Sequence, residues 1–443
     1  MNKKLLVVAV AGALAAPGVA LAQSSVTISG IFKASLENVR IGSPNVTAGN
    51  TVSNGAGLPV NFLNRTGLNT TENRVADDSS RILFNVVEDL GGGLAAIGQA
   101  DLRMPLASGN AIFMSGNTHV GLRSKSLGRI LVGRQDVHYG NTESDMSALA
   151  GDLRADAVSL LAFMKDGTAI AGATRTPNII HYTTPNFSGF TAIVAYSTGP
   201  TAASGTGATG QVLTSAAQPV VQQSDLATGA RKGSAINFNP NYAAANWQVG
   251  YSYWNSKPDL AAATQSGTGA AVTSASSGAS FGTADQRADR LYGSFKMAGF
   301  KVGLAWDKSR LKASTASATG IVNVTGNGGV TGAAFASGTT ISERTAWSIP
   351  VSYMMGKNQF HFHYTKALDD KSTAVQDGGK MVAFSYQYTL SKRTSVGLTY
   401  SKITNDIGAA YNNFTSASLG NSISGVNPGE DPRLMAATIR HAF

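Results

Sequence analysis

Hydrophobic and polar residues alternate along this chain with period two, in short bursts. In the first burst Val26, Ile28, Phe32, Ala34 and Leu36 share one face, and Thr27, Ser29, Lys33, Ser35 and Glu37 share the other. Such alternation marks a strand with one apolar and one polar surface. Sixteen segments follow this pattern: 26–37, 80–89, 94–103, 117–124, 129–135, 177–184, 190–198, 234–241, 246–255, 289–297, 300–310, 344–355, 358–368, 380–390, 394–405 and 433–443.

The connections discriminate between the folds that such strands can build. Short turns, at 90–93, 125–128, 186–189, 298–299 and 356–357 among others, alternate strictly with long connections. A soluble sandwich would turn its apolar faces to a core, but has no reason to gather every long connection at one end. Outer-membrane barrels have this asymmetry, with apolar residues facing lipid and polar residues lining water. The pattern therefore predicts an all-β fold, a 16-stranded antiparallel transmembrane β-barrel. Stripes such as Trp247, Val249, Tyr251 and Tyr253, or Trp347, Ile349, Val351 and Tyr353, carry aromatics near their ends, as the girdles at two lipid interfaces do. The last segment alternates Met435, Ala437, Ile439, His441 and Phe443 outward, and its terminal Phe resembles the assembly signal of bacterial outer-membrane barrels.

One long connection, 136–174, has a pattern of its own. It opens on the acid-rich 140–146 and continues with Leu149, Leu153, Ala157, Leu160 and Leu161 at helical spacing. A long loop with its own apolar face is usually functional. The reading is that this third loop folds into the lumen and narrows it.

Composition sharpens the picture. Lys3 and Lys4, the apolar 5–16 and Ala20-Leu-Ala22 make residues 1–22 a secretory signal, with Gln23 the expected mature start and 23–443 the barrel domain. No other segment approaches the roughly 18 apolar residues of a membrane-spanning helix. A membrane protein built from this chain must then be a barrel. Cysteine is absent, which removes disulfides and thiolate chemistry. The net charge of +10 suits solubility or contact with acidic lipid heads, and equally an anion-attracting cavity. The basic residues are dispersed, so nucleic acid is not an expected partner.

The chain resembles the general porins of betaproteobacteria. The resemblance rests on Ser24-Ser-Val-Thr-Ile-Ser-Gly30, Ser80-Arg81 through Glu88-Asp-Leu-Gly-Gly-Gly93, Val132-Gly-Arg-Gln135, Tyr182-Thr-Thr-Pro-Asn-Phe-Ser-Gly-Phe190 and Ile439-Arg-His-Ala-Phe443. It implies a homotrimeric 16-stranded barrel of the Gram-negative outer membrane, whose third loop folds inward toward a cluster of arginines on the facing wall. Such a pore needs a transverse field at its constriction rather than a nucleophile. The resemblance places wall arginines at Arg81 and Arg175, and Arg134 and Lys33 complete the expected basic wall. Arg81 shares its face with Leu83 and Asn85, opposite Ile82, Phe84 and Val86, so it points to water. A further arginine usual in the family, a few residues before Val120-Gly-Leu122, is replaced by Gly116, leaving Arg103 or Arg123 to compensate. Glu143, Asp145 and Asp152 are the loop acids expected to face this wall; each could instead serve as a helix-end charge or pair with Arg154.

Enzyme chemistry finds little support. His361 and His363 share a strand face without a third ligand, which is a weak metal signal and reads as polar lumen lining. The 91–93 glycines form a turn without the Lys-Ser/Thr of a phosphate loop. No serine sits in a nucleophile elbow. No catalytic residue, cofactor or metal is expected. The expected function is passive diffusion of small hydrophilic solutes and ions, leaning to anions, with outer-membrane lipid and lipopolysaccharide as surroundings. A substrate-selective channel of the same fold, for organic acids for example, and a surface adhesin are the alternatives.

Overall fold

The computed structural model describes residues 25–42, 51–53, 59–61, 69–77, 80–104, 106, 114, 116–141, 173, 175–198, 200, 233–257, 284–313, 338–372, 376–409, 411, 426 and 429–443. Residues 1–22, expected to be a secretory signal, lie outside them. A first strand, β1 (Ser25–Gly42), is followed by a small separate ribbon of β2 (Thr51–Ser53) against β3 (Pro59–Asn61). Then come β4 (Asn69–Asp77), β5 (Arg81–Gly91), β6 (Leu94–Arg103), β7 (Thr118–Ser124), β8 (Gly128–Asp136), β9 (Arg175–Thr183) and β10 (Phe190–Ser197). They are followed by β11 (Ser234–Ala243), β12 (Trp247–Lys257), β13 (Ala284–Met297), β14 (Phe300–Ala313) and β15 (Thr340–Met355). The chain ends with β16 (Asn358–Ala367), β17 (Gly379–Thr389), β18 (Thr394–Asn405) and β19 (Asp431–Ala442).

All but β2 and β3 belong to one antiparallel sheet in which each strand pairs with its neighbours in sequence. The sheet closes where β1 pairs with β19, from Ile31 opposite Ala442 to Gly42 opposite Asp431. On its other side β1 meets β5 with its first half and β4 with its second. The two are halves of a single stave, so the barrel has 16 staves. Closure satisfies every backbone group without an edge, which is what lipid demands. At the seam the Gly30 and Phe443 backbones exchange hydrogen bonds of 3.0 and 3.1 Å. The Phe443 ring lies where a side chain at residue 30 would project, and its centre is 5.0 Å from that of Phe32, the two rings tilted by 39°. The tight turn after β5 places Gly91, Gly92 and Gly93 at φ of 83°, 61° and 80°, a left-handed run that only glycine adopts without strain.

Side chains sort as the alternation predicts. Leu36, Val194, Leu291, Phe362, Phe384, Leu398 and Ile439 are exposed on the outside. Ser35, Asn237, Ser252, Gln286, Ser348, Thr365 and Ser385 are buried on the inside. In a water-soluble protein such an apolar exterior would be a liability; on a barrel it is the lipid surface. Ring pairs near the short-turn end, Tyr242–Trp247, Phe300–Tyr353 and Phe360–Tyr386, form one girdle, and Trp347–Tyr364 belongs to the other.

The structure corrects one boundary of substance. The polar stretch 38–79 reads as a connection, yet β1 runs on to Gly42 and β4 lies within that stretch. The alternation does not stop after Glu37; its sign reverses. Asn38 and Arg40 now face out, while Val39 and Ile41 turn inward onto Val426 and Leu434. Staves that rise above the hydrocarbon layer have no reason to keep an apolar exterior.

Candidate functional site

The inner faces of β5 to β9 bring the expected arginines together. Arg81 on β5 lies directly opposite Arg103 on β6. Arg103 in turn feels the charges of both Arg175 and Arg81, and Arg134 those of Arg175 and Arg103. Two carboxylates hold this group. Asp101 pairs with Arg103 at 2.9 Å, and Asp136 pairs with Arg175 at 2.8 Å. Asn117 ties the two pairs: its amide donates to Asp136 (2.6 Å), its backbone N–H donates to Asp101 (3.3 Å), and its Oδ1 accepts from Arg175 (3.1 Å). Among the described residues the buried Nε of Arg81 has no hydrogen-bond partner. Lys33 is on the inner face of β1, in register with Arg440 of β19 across the seam and two residues along from Ile31, which is in register with Arg81.

Gly116 explains how the wall is composed. A side chain there would overlap the Asp101 carboxylate, and the Gly116 N–H donates to the Asp101 carbonyl at 3.3 Å. The space that an arginine at 116 would need is taken by the carboxylate that orients Arg103. Of the two residues proposed to compensate, Arg103 enters the cluster. Arg123 lies near the short-turn end of β7, opposite Arg129.

From Asp136 the chain leaves the wall. Residues 138–141 make a single helical turn inside the barrel. The His138 N–H donates to Asn237 Oδ1 of β11 (3.3 Å), and its Nδ1 is 2.8 Å from Ser252 Oγ of β12. Tyr139 donates its hydroxyl to Asp307 of β14 (3.0 Å), and the Arg290 guanidinium of β13 sits 5.5 Å from its ring centre, a cation–π contact. These staves are three to six places away from β8, so the segment crosses the lumen. The return limb is beside it, the Tyr139 N–H donating to the Ala173 carbonyl at 3.1 Å. Burial, reinforced by the Arg290 charge, holds the His138 imidazole well below its ordinary pKa and therefore neutral. Burial and then the neighbouring Asp307 push the Tyr139 phenol well up. Glu143, Asp145, Asp152 and the rest of 142–172, with its apolar spacing, lie outside the described residues.

His361 and His363 are on the inner face of β16, with His363 Nε2 2.6 Å from Ser348 Oγ. Among the described residues no three His, Cys, Asp or Glu side chains are grouped to hold a metal.

The sequence profile of a family described as Gram-negative porin matches residues 7–408. The chain belongs to the Gram-negative porins. Among curated proteins no sequence matches this porin. Among solved structures, an anion-selective porin from Comamonas acidovorans is similar over 95% of this chain and 100% of its own, with 18% identity and a TM-score of 0.64. OmpT, an outer membrane protein of Vibrio cholerae, is similar over 95% and 98% (11% identity, TM-score 0.56). OmpF of Salmonella typhi, solved with daunomycin, is similar over 94% and 97% (12% identity, TM-score 0.53). At these identities the likeness establishes the shared barrel, and this porin's own residues must carry any statement about selectivity.

Proposed function

We propose that this porin is a water-filled outer-membrane channel for passive diffusion of small hydrophilic solutes and ions, with a preference for anions set by Arg81, Arg103, Arg134 and Arg175. The observation that carries the preference is charge balance: among the described residues four guanidiniums converge on one wall with two carboxylates among them, Asp101 and Asp136. Guanidiniums keep their charge at any physiological pH. A unit charge acts on an ion about 4 Å away with roughly 1–4 kcal/mol in surroundings between water and a protein surface. A solute squeezed past the loop root meets that field before salt screens it. The name of the Comamonas porin, anion-selective, agrees with this reading.

The loop 136–174 is the constriction in this proposal, with Glu143, Asp145 and Asp152 as its acidic side, and Lys33 lines the approach. Residues 1–22 are removed on export, and the mature chain assembles as a trimer, the form in which one Vibrio OmpT structure is described. The test is the zero-current potential of single channels in a potassium chloride gradient. Its sign should report anion preference, and the Arg81→Ala, Arg175→Ala variant should shift it toward cations, most at low salt. A parent channel that prefers cations, or a double variant whose potential does not move, overturns the assignment. An adhesin would give no conductance at all.

A further inference from the structure

The short-turn mouth of the barrel carries charge in an arrangement that costs stability. Arg123 of β7 and Arg129 of β8 stand directly opposite one another, in the second register pair from the turn that joins their strands. Lys296 of β13 and Lys301 of β14 do the same, again in the second pair from their turn. Both pairs are on the inner face. Arg123 shares its side of the strand with His119 and Gly121, Arg129 with the buried Leu131, Lys296 with the buried Tyr292 and Ser294, and Lys301 with the buried Ala305. Like charges directly opposite on adjacent strands destabilise a sheet. Stability alone would not select this twice, in hairpins that have β9 to β12 between them. The same device occurs at the arginine wall, where Arg81 is opposite Arg103. A local rule broken at matched places marks function.

The short turns themselves add Lys125, Lys357, Lys392 and Arg393. Among the described residues the carboxylates at this end are those of Glu88, Asp89 and Phe443. Whatever ion pairs form, these eight cations against three carboxylates leave the mouth positive. Asp89 is occupied by its own turn, the Gly91 N–H donating to its Oδ1 at 2.9 Å, and Glu88 continues the outward stripe of Phe84 and Val86. Between this mouth and the arginine wall the inner faces of β7 to β9 carry no carboxylate among the described residues. The Arg129 charge reaches His119 and His181 across that interval.

Solutes can reach these groups: Arg123, Arg129 and Lys296 are exposed and Lys301 is half-buried. Opposed residues of adjacent strands have Cβ atoms about 5 Å apart, so the forks of Arg123 and Arg129 can close on one anion. A guanidinium fork binds carboxylate or phosphate oxygens two at a time. A halide offers one charge and one acceptor atom, which a single fork satisfies. An oxyanion with two or more charges has oxygens for both forks, and Lys296 and Lys301 raise its local concentration from another side of the mouth. We propose that the short-turn mouth is a second anion station, separate from the arginine wall, where Arg123 and Arg129 bind small oxyanions carrying two or more negative charges. Outer-membrane barrels turn this end to the periplasm, so the station meets solutes on that side. It rests on the channel reading above and adds to it a charge class and a sidedness.

The experiment uses the refolded full chain as single channels in a planar bilayer at low salt, with inorganic pyrophosphate added to one chamber at a time. A biotin on Lys392→Cys, in a chain that otherwise has no cysteine, lets streptavidin mark the chamber that the short turns face. Pyrophosphate should interrupt the current from the short-turn side at a concentration about tenfold lower than from the long-loop side, the scale set by hydrogen bonds to charged groups. Arg123→Ala with Arg129→Ala should abolish that difference, and Lys296→Ala with Lys301→Ala should reduce it about threefold. Arg81→Ala with Arg175→Ala should leave it in place. Removing a like-charge pair should not lower the Tm, so a lower Tm in the Arg123→Ala, Arg129→Ala variant would make these arginines structural and overturn the proposal. Equal block from both sides of the parent overturns it, and so does an unchanged difference in that variant. Loss of the short-turn block in the Arg81→Ala, Arg175→Ala variant would put pyrophosphate at the arginine wall, with the same result. A channel that prefers cations in the potassium chloride gradient but shows the sided block overturns the preference assigned to the wall and supports the station at the mouth.

Discussion

The two sides of the lumen use arginine in opposite ways. On β5 to β9, Arg103 and Arg175 are partly open, with side chains 16% and 26% exposed, and among the described residues each pairs with one carboxylate. On β13 and β15, Arg290 and Arg344 are 1% exposed, covered by the loop root and by Tyr411. The first wall leaves its field available to whatever passes. The second consumes its charge internally, anchoring Tyr139 between Arg290 and Asp307. One residue type is therefore left open where water reaches it, on the wall proposed to set selectivity, and serves architecture where water does not.

The sharpest way to break this contrast is to remove an anchor. Asp307→Ala strips Tyr139 of its acceptor and removes the carboxyl in register with the buried Arg290. Leaving one partner of a buried hydrogen bond unsatisfied costs about 1–3 kcal/mol. We expect the loop to detach while the barrel stays closed, seen as larger, noisier single-channel currents and faster tryptic cleavage at Arg154 or Lys165. Deleting 147–162 should enlarge conductance in the same direction, and an unaltered current in the folded deletion variant would show that the loop does not form the constriction.

Next in size is the open wall itself. Arg81→Ala with Arg175→Ala should lower the anion-to-cation permeability ratio about fivefold, corresponding to about 1 kcal/mol. Arg103→Ala should act in the same direction by a smaller amount, and Asp101→Asn in the opposite one by freeing Arg103 from its partner. These shifts should shrink between 0.1 and 1 M salt as the screening length falls from about 10 to about 3 Å. If Asp101→Asn lowers anion preference, the carboxylate matters as a positioning group and the charge count on this wall is the wrong guide.

The smallest effect expected is with pH. His138 has a folded pKa depressed below the ordinary value of about 6.5, so the docked loop root binds fewer protons than the undocked one. Docking stability is therefore full above pH 6.5 and is lost progressively as pH falls below it. Current fluctuations should become more frequent between pH 7.5 and 5, and His138→Gln should flatten that dependence. An identical pH response in the variant would remove His138 from the account.

Much of the fold was legible because lipid imposes one rule on every stave. Period two gave the strands, and the alternation of turn lengths gave their closure. The rule fails where lipid ends: Val39 and Ile41 invert the pattern, and Asp285 and Arg287 belong to β13 although they read as loop. The arginine wall was partly legible, since Arg81 and Arg175 sit in local motifs. Arg103 could be named only as a substitute, because nothing in the sequence tells that the Asp101 carboxylate occupies the space beside Gly116. The anchor on the far side was not legible. Tyr139 and Asp307 meet only because a segment leaves β8 and crosses the lumen, and no periodicity along the chain encodes that path.

The seam imposes an order on assembly. Each stave but one can pair with its predecessor as the intervening turn or loop closes. The pairing of β1 with β19 joins residues about four hundred apart, and closing so long a loop costs about 3 kcal/mol more than closing one of ten residues. It becomes favourable only after the intervening hairpins have shortened the effective distance. The contact between Gly30 and Phe443 is then the last to form, and until it does the chain is an open sheet with two long unpaired edges. Such edges recruit other chains. The interval before the Phe443 ring settles over Gly30 is when this protein is most exposed to aggregation, and a substitution such as Gly30→Leu should lengthen that interval and slow the appearance of the closed barrel.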